Sequence, residues 1–307
     1  MQTRQGGFVV DTEIETTRQA ISFKTPDGLT LRADAWGSPQ AAPVLLLHGG
    51  GQTRHAWAGT AAALAAEGWY AVCMDARGHG DSDWCPRGDY NHLAFADDVA
   101  AVSESFSRVP VLVGASLGGI SSLFALGRAQ SENRPAPASA LVLVDIATRM
   151  ELDGARRILD FMSQKPEGFA SLEEASDAIA SYNPHRPKSR DLKGLKKNLR
   201  LKEDGRYRWH WDPAFVNGRL TPGSMKTLGS LDDAARGLAI PTLLVRGRMS
   251  DLLSQEGADE FLAQVPHAHF VDISGAGHMV AGDRNDHFTR AVLDFLAREV
   301  PRESRTE

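Results

Sequence analysis

The chain has 307 residues, of which 42% are hydrophobic, and a formal net charge of -5. This size and composition favour one enzyme-sized unit with a sizeable core, and the acidic balance gives no reason to expect a nucleic-acid partner. No run approaches the roughly 20 apolar residues that a membrane helix needs, and residues 1–7 lack the apolar stretch of a secretory signal. We therefore expect a cytoplasmic protein that does not bind a membrane.

Strands and helices alternate along the first half of the chain. In chain order the predicted elements are hairpin strands 14–23 and 29–35, strand 43–47, helix 57–67, strand 70–75, helix 94–106, strand 109–113, helix 120–129 and strand 141–145. Such alternation predicts an α/β fold with a mostly parallel central sheet and helices on both faces.

The alternation stops between residues 147 and 238, where the chain becomes helical and irregular. Strand 241–245, helix 255–264, strand 268–273 and helix 288–299 then resume the earlier pattern. A long interruption between two core strands is typical of an inserted domain. We therefore predict a core made of residues 1–146 and 239–307, with a mainly helical cap at 147–238.

The most informative motif is Gly114-Ala115-Ser116-Leu117-Gly118, which directly follows the apolar run at 109–113. A strand that turns sharply into a helix leaves no room for a Cβ two residues either side of the serine, so the glycine spacing suits a turn that exposes the hydroxyl. Ser82, Ser121 and Ser122 have no such motif and are assigned structural roles. Ser116 is the predicted nucleophile.

Three other segments fit the same chemistry. The strand at 43–47 is followed by His48-Gly49-Gly50-Gly51, a loop whose bare backbone can approach a ligand closely. Asp251 and His278 come after later predicted strands, so that acid and base follow the serine in the order Ser, Asp, His. A histidine titrating near neutrality can take the serine proton and then protonate the leaving group.

With Met74-Asp75-Ala76-Arg77-Gly78-His79-Gly80-Asp81-Ser82 added, these motifs make the sequence resemble the α/β-hydrolase superfamily over most of its length. The resemblance is to capped hydrolases with serine at the turn, namely esterases, carbon–carbon bond hydrolases and cofactor-free haloperoxidases or perhydrolases. Relatives with aspartate at that position, the epoxide hydrolases and haloalkane dehalogenases, are disfavoured by Ser116. The resemblance implies the α/β-hydrolase fold with an inserted cap.

In this scheme His278 is the base, and Asp251 fixes its tautomer. Asp145 is the competing acid, because it also ends a predicted strand and some relatives place the acid there. The amide of Leu117, at the positive end of a helix, is expected to bind the oxyanion, and the resemblance assigns Gly50 as the second donor. His48 and His79 are expected to hold loops by hydrogen bonds, as are Asp75, Arg77 and Asp83.

The expected ligand is a small-molecule substrate, a small to medium, largely apolar carboxylic ester. The candidate residues for its pocket are aromatic or sulfur-containing: Trp57, Phe161, Met162, Trp209, Trp211, Phe215 and Met279. Two cysteines and the absence of metal-ligand spacings give no reason to expect a metal. No dinucleotide fingerprint follows the first central strand, and we expect no cofactor.

Three alternatives to an esterase are left open by the sequence. A carbon–carbon bond hydrolase of ring-cleavage-type diketones predicts basic cap residues such as Arg156, Arg157 or Arg190 near Ser116. A cofactor-free perhydrolase or haloperoxidase predicts halogenation that depends on peroxide and an organic acid. A ligand-sensing protein on the same fold predicts slow or single turnover. The sequence also leaves a homodimer open.

Overall fold

A computed structural model describes residues 17–182, 192–217, 227–228, 230–280 and 285–300. The largest element is an eight-stranded sheet in the order β1-β2-β4-β3-β5-β6-β9-β10. Its strands are β1 (Gln19–Lys24), β2 (Thr30–Trp36), β3 (Pro43–Leu47), β4 (Tyr70–Met74), β5 (Val111–Ala115), β6 (Ala140–Val144), β9 (Thr242–Gly247) and β10 (His269–Ile273). Only the β1/β2 and β2/β4 pairs of this sheet are antiparallel.

The helices of the described residues are α1 (Ala58–Ala66), α2 (His92–Glu104), α3 (Leu117–Ser131), α4 (Leu152–Ser163), α5 (Leu172–Tyr182), α6 (Pro213–Val216), α7 (Leu231–Arg236), α8 (Gln255–Gln264) and α9 (Asn285–Glu299). Of these, α1 and α9 cover one face of the sheet, and α2, α3, α7 and α8 cover the other. Short 3-10 helices lie at Arg54–Trp57 and Leu192–Lys197. In the part of the chain that is described, none of the helices has both the length and the apolar character to cross a bilayer.

The central strands are apolar throughout because both of their faces are buried. Leu45 and Leu47 of β3 point to the side covered by α2, α3, α7 and α8, whereas Val44 and Leu46 point to the side covered by α1 and α9. This alternation follows from the two-residue period of a strand. The predicted α/β fold with a mostly parallel sheet and helices on both faces is confirmed.

The interruption between β6 and β9 contains α4, α5, α6 and a small antiparallel sheet of β7 (Leu199–Leu201) and β8 (Tyr207–Trp209). A hairpin within a segment expected to be mainly helical was not foreseen. Helix α7, at the end of the interruption, places Leu231 and Ala235 in the main core and packs against α3. The last helix before residue 239 therefore packs with the core, although the predicted boundary assigns it to the cap.

Candidate active site

Strand order places the candidate catalytic groups at one edge of the sheet. The strands β3, β5, β6, β9 and β10 are parallel, so their carboxyl ends lie at the same edge. Ser116 follows β5, Asp145 follows β6, and His278 lies beyond β10. In open α/β sheets this edge is where ligands bind.

Ser116 lies on a strained turn between β5 and α3. Its backbone has φ 45° and ψ -110°, a left-handed conformation that is costly for any residue other than glycine. A Cβ on Gly114 would lie 2.5 Å from the carbonyl carbon of Gly118, and one on Gly118 would lie 2.4 Å from the Leu47 oxygen. Both glycines are therefore required by close backbone approach, as the sequence predicts.

The imidazole of His278 is bound to Asp145. The distance from His278 Nδ1 to Asp145 Oδ2 is 2.7 Å, and the Asp145 side chain is completely buried. This carboxylate also accepts hydrogen bonds from the Gly247 amide, at 2.9 Å, and from the Ser250 hydroxyl. Because an ionised carboxylate only accepts, Nδ1 carries the hydrogen and Nε2 keeps the lone pair that a general base needs.

The expectation that Asp251 contacts the histidine is wrong. Asp251 forms an ion pair with Arg157 of α4, with an N–O distance of 2.8 Å, and its side chain is one-third exposed. The turn after β9 presents Ser250, one residue earlier, to Asp145, and Asp251 points instead toward the cap. Strand β6 lies directly beside the serine strand β5, so its end is nearer to the nucleophile than the end of β9.

The glycine loop after β3 leaves one amide available. The Gly49 amide donates to Gln52 Oε1 at 3.1 Å, and the Gly51 amide donates to His79 Nε2 at 3.1 Å. The amides of Gly50 and Leu117 donate to no other residue in the described parts of the chain. Both residues line the same cavity as Ser116, an arrangement that suits the oxyanion-binding role expected of them.

Two histidines hold the loops around this site. The Ala76 amide donates to His48 Nε2 at 3.0 Å, so the hydrogen of this neutral ring is on Nδ1, which donates to the Gly49 oxygen at 2.8 Å. His79 likewise accepts from Gly51 and bonds the Arg77 oxygen through Nδ1 at 3.0 Å. Burial lowers the pKa of His48. These contacts are the loop-holding ones that the sequence predicts.

A third histidine, His210, comes from the segment after β8 and was not singled out in the sequence. Its Nδ1 accepts from the Gly80 amide at 2.7 Å, and its Nε2 donates to the Gly51 oxygen at 3.2 Å. Burial lowers the pKa of this ring to about 3. His210 thus joins the cap hairpin to the glycine loop, a contact between positions too distant in sequence for a local pattern to reveal.

The other polar residues considered in the sequence have structural contacts. The hydroxyls of Ser121 and Ser122 donate to carbonyls of their own helix, and Ser82 donates to the Asp75 oxygen. Asp75 binds the amide and guanidinium of Arg54. Two further contacts brace the same loops: Arg77 pairs with Asp98, and Asp83 accepts from the Thr30 amide.

A cavity of about 580 Å³ opens over Ser116 and His278, between the sheet edge and the cap. The predicted pocket residues that line it are Phe161, Met162, Trp209, Trp211, Phe215 and Met279. Trp57 does not; its indole is buried against Phe288 of α9, with ring centroids 5.6 Å apart, because α1 and α9 pack together on the opposite side of the loop. The predicted assignment of Trp57 to the pocket is therefore corrected.

Sequence reasoning also missed a large apolar part of the wall. The missed residues are Met150, Leu152, Ile158, Leu159, Ile179 and Leu228. The signal was available in the spacing of apolar residues along α4 and α5, since an amphipathic cap helix must bury one face. Within the ranges that are described, no group of three or more His, Cys, Asp or Glu side chains is placed to hold a metal ion.

Comparisons with known proteins agree with this architecture. The α/β-hydrolase fold family model matches residues 42–284. Esterase Rv0045c of Mycobacterium tuberculosis is 28% identical over 268 residues, covering 85% of this chain and 83% of the esterase. A 3-hydroxybutyrate-oligomer hydrolase of Cupriavidus necator is 27% identical, covering 83% of this chain and 89% of its own.

Solved structures give the same result for the fold. The crystal structure of E-2-(acetamidomethylene)succinate hydrolase superposes with a TM-score of 0.77 at 23% identity, covering 91% of this chain and all of the other. A structure of the M. tuberculosis esterase Rv0045c superposes with a TM-score of 0.71 at 25% identity, covering 94% of each chain.

Proposed function

Because the chain belongs to the α/β-hydrolase fold family and is a hydrolase of that fold, we propose that it cleaves carboxylic esters by a serine mechanism. The observation that carries this proposal is the buried Asp145–His278 pair, which opens into the same cavity as Ser116. The names of two relatives, an esterase and a hydrolase of 3-hydroxybutyrate oligomers, support hydrolysis as the reaction class.

In the first half of the reaction, Ser116 attacks the ester carbonyl carbon while His278 Nε2 takes the hydroxyl proton. The Ser116 hydroxyl makes no hydrogen bond to the described residues. A hydrogen bond from this hydroxyl to His278 Nε2 must therefore form as substrate binds, because catalytic hydrogen bonds are often long or absent in unliganded sites. Asp145 holds the ring and stabilises its positive charge. The amides of Gly50 and Leu117 would bind the oxyanion, and each such donor is worth about 3 kcal/mol in the transition state.

In the second half, the imidazolium of His278 donates its proton to the alcohol oxygen, and the alcohol leaves an acyl group on Ser116. His278 then takes a proton from water as the water oxygen attacks the acyl carbon. When the bond between that carbon and Ser116 breaks, the acid is released and the imidazolium returns the proton to the Ser116 oxygen.

The cavity favours esters with a largely apolar body. Its walls next to the glycine loop are aromatic and sulfur-containing: Phe215 lies 3.3 Å from a Cβ placed on Gly50, and Met162 lies 3.1 Å from one placed on Gly51. Removing apolar surface from water contributes about 25 cal/mol per Å² to the free energy of binding. These walls should therefore bind hydrocarbon groups more tightly than polar substituents. We therefore propose small to medium acyl or alcohol groups as the substrate class.

The test is turnover of 4-nitrophenyl esters of increasing chain length, together with labelling by a fluorophosphonate probe. We expect Ser116→Ala to lose about 10⁶-fold in kcat and to lose all labelling. Ser176→Ala is the matched control, because Ser176 lines the same cavity from α5 without the strained turn. This control should keep both activity and labelling.

Several outcomes would overturn the proposal. Full activity in Ser116→Ala would exclude Ser116 as the nucleophile, and halogenation in preference to ester turnover would favour a perhydrolase. Slow or single turnover with a tightly held ligand would favour a sensor. A carbon–carbon bond hydrolase is not supported by the basic residues expected of it. Arg156 pairs with Asp153, Arg157 pairs with Asp251, and neither arginine lines the cavity. Arg190 lies outside the described residues.

A further inference from the structure

The charge of the cavity is unbalanced. Among its described lining residues there is no aspartate, glutamate or arginine, and Lys197 is the one lysine. Lys197 ends the second 3-10 helix, and its ammonium has no carboxylate within 4 Å among the residues that the structure describes. A substrate with an anionic group would find a partner in this cavity, whereas a cationic one would not.

Lys197 belongs to a polar end of the cavity. Its neighbours there are Thr53, His55 and Asn198, with Thr53 Oγ1 3.5 Å from Asn198 Oδ1. Burial and the charge of Arg54, with a smaller contribution from Lys197, lower the pKa of His55. The neutral ring can donate a hydrogen bond, so this end combines a cation with neutral donors, which suits a carboxylate.

The arginines near this end of the cavity are already paired with carboxylates. Arg54 pairs with Asp34, Asp75 and Asp81, and Arg200 and Arg18 pair with the same carboxylates. Three arginines thus balance three aspartates beside the 3-10 helix at 54–57. Lys197 therefore adds to this end of the cavity a positive charge that no carboxylate of the described residues offsets within 4 Å.

The polar end is close to the reacting bond. Gly50 and Thr53 lie on one continuous loop, so their Cα atoms are at most about 11 Å apart, and both line the cavity. A group held at the polar end while the ester carbonyl lies at Gly50 is thus separated from that carbonyl by a short chain. A linker of about three to six carbons spans the available distance.

We propose that the end of the cavity formed by Thr53, His55, Lys197 and Asn198 binds a carboxylate of the substrate, and that the preferred substrates are esters with a free carboxylate three to six carbons from the scissile carbonyl. This inference rests on the proposed esterase function and narrows its substrate class. An exposed cation contributes modestly, and we expect a selectivity of about 3- to 10-fold.

The experiment uses three 4-nitrophenyl esters that differ at the far end of the acyl chain. They are the adipate half-ester, which is anionic, the adipamate, which is its neutral isostere, and the 6-(trimethylammonio)hexanoate, which is cationic. For the unmodified protein we expect kcat/KM to fall in that order, with the anionic ester about 3- to 10-fold above the neutral one. Raising the salt concentration should reduce this ratio because it screens the ammonium.

Variants assign the selectivity to one side chain. Lys197→Met, similar in length and neutral, should bring the anionic-to-neutral ratio to about 1 with little change for the neutral ester, and Lys197→Glu should favour the cationic ester. Lys196→Met is the matched control, because Lys196 is the exposed neighbour that does not line the cavity. It should keep the ratio of the unmodified protein.

The two proposals fail differently. An anionic-to-neutral ratio of 1 in the unmodified protein, or a ratio that Lys197→Met leaves unchanged, would overturn the carboxylate site while the esterase function stands. Loss of turnover on all three esters, with no labelling of Ser116, would instead overturn the esterase function itself.

Discussion

The two walls of the cavity are held in place by different forces. The wall at the sheet edge is polar, and its groups are fixed by hydrogen bonds between buried partners, such as Asp145 with His278 and Gly51 with His79. The cap wall formed by α4 is apolar, and residues such as Ile158 and Met162 are held by packing. Hydrogen bonds set positions to within tenths of an ångström, whereas apolar contacts tolerate substitution of similar volume. Chemistry should therefore depend on the first wall and substrate size on the second.

The largest expected effect separates the two acids at the strand ends. Asp145→Asn should lower kcat by about 10³- to 10⁴-fold, because the amide no longer fixes the tautomer or charge of His278. Asp251→Asn should stay within about threefold, since it removes only a partly exposed ion pair with Arg157. Steady-state kinetics on 4-nitrophenyl butyrate measures both. Equal losses in the two variants would refute the assignment of the acid.

A smaller effect is expected at His210, where the two walls meet. In His210→Gln the side-chain nitrogen reaches the position of Nε2 and can still donate to the Gly51 oxygen, whereas His210→Asn can replace only the contact with Gly80. Losing the contact to Gly51 loosens the oxyanion loop, so we expect about a tenfold fall in kcat for the Asn variant. The Gln variant should stay within about threefold. Loss of a whole oxyanion donor costs about 10²- to 10³-fold.

The readout that distinguishes positioning from general damage is inhibitor binding. If His210 positions the loop, a boronic acid that mimics the tetrahedral intermediate should bind the Asn variant about tenfold more weakly, with KM nearly unchanged. Equal losses of kcat in the Asn and Gln variants, or a change in KM alone, would show that the hydrogen bond from His210 to the Gly51 oxygen does not position the oxyanion loop.

Changes in the cap wall should alter size selection more than chemistry. Ile158→Trp adds volume to the cavity side of α4, so kcat/KM for 4-nitrophenyl octanoate should fall about fivefold relative to the acetate. Asp160→Asn, on the exposed side of the same helix, serves as the control and should leave the chain-length profile unchanged. An unchanged profile in the Trp variant would remove α4 from the substrate site.

A last effect concerns stability against acid and leaves the catalytic rate aside. The folded pKa of His210, about 3, lies below the ordinary value of 6.5 because the ring is buried, so the unfolded chain binds the additional proton. His210 therefore lowers the free energy of unfolding as pH falls from 6.5 toward 3, by at most about 1.4 kcal/mol per pH unit. Urea titrations between pH 7 and 4.5 should show a shallower decline for His210→Gln. If the free energy of unfolding fell equally with pH in the unmodified protein and in His210→Gln, protonation of His210 would not be the cause of the decline.

Prediction from sequence worked where the relevant constraint is local. The turn at Ser116 is predicted by the apolar strand before it and by the glycines two residues on either side of the serine. The structure contains this turn. Most predicted strands and helices of the core agree within a few residues with the observed ones, and helix 255–264 has the same bounds. The cap was harder, because its hairpin and the apolar face of α4 depend on packing against the core.

The sequence by itself determined the fold class, the strained serine turn and the candidate base, because these follow from residue spacing and from the chemistry of single side chains. Only the tertiary structure decided between Asp145 and Asp251, placed Trp57 in the core and joined His210 to the glycine loop. Both aspartates follow a strand, and the sequence order of strands does not give their order in the sheet. Which carboxylate reaches the histidine is a property of neighbouring strands and turns.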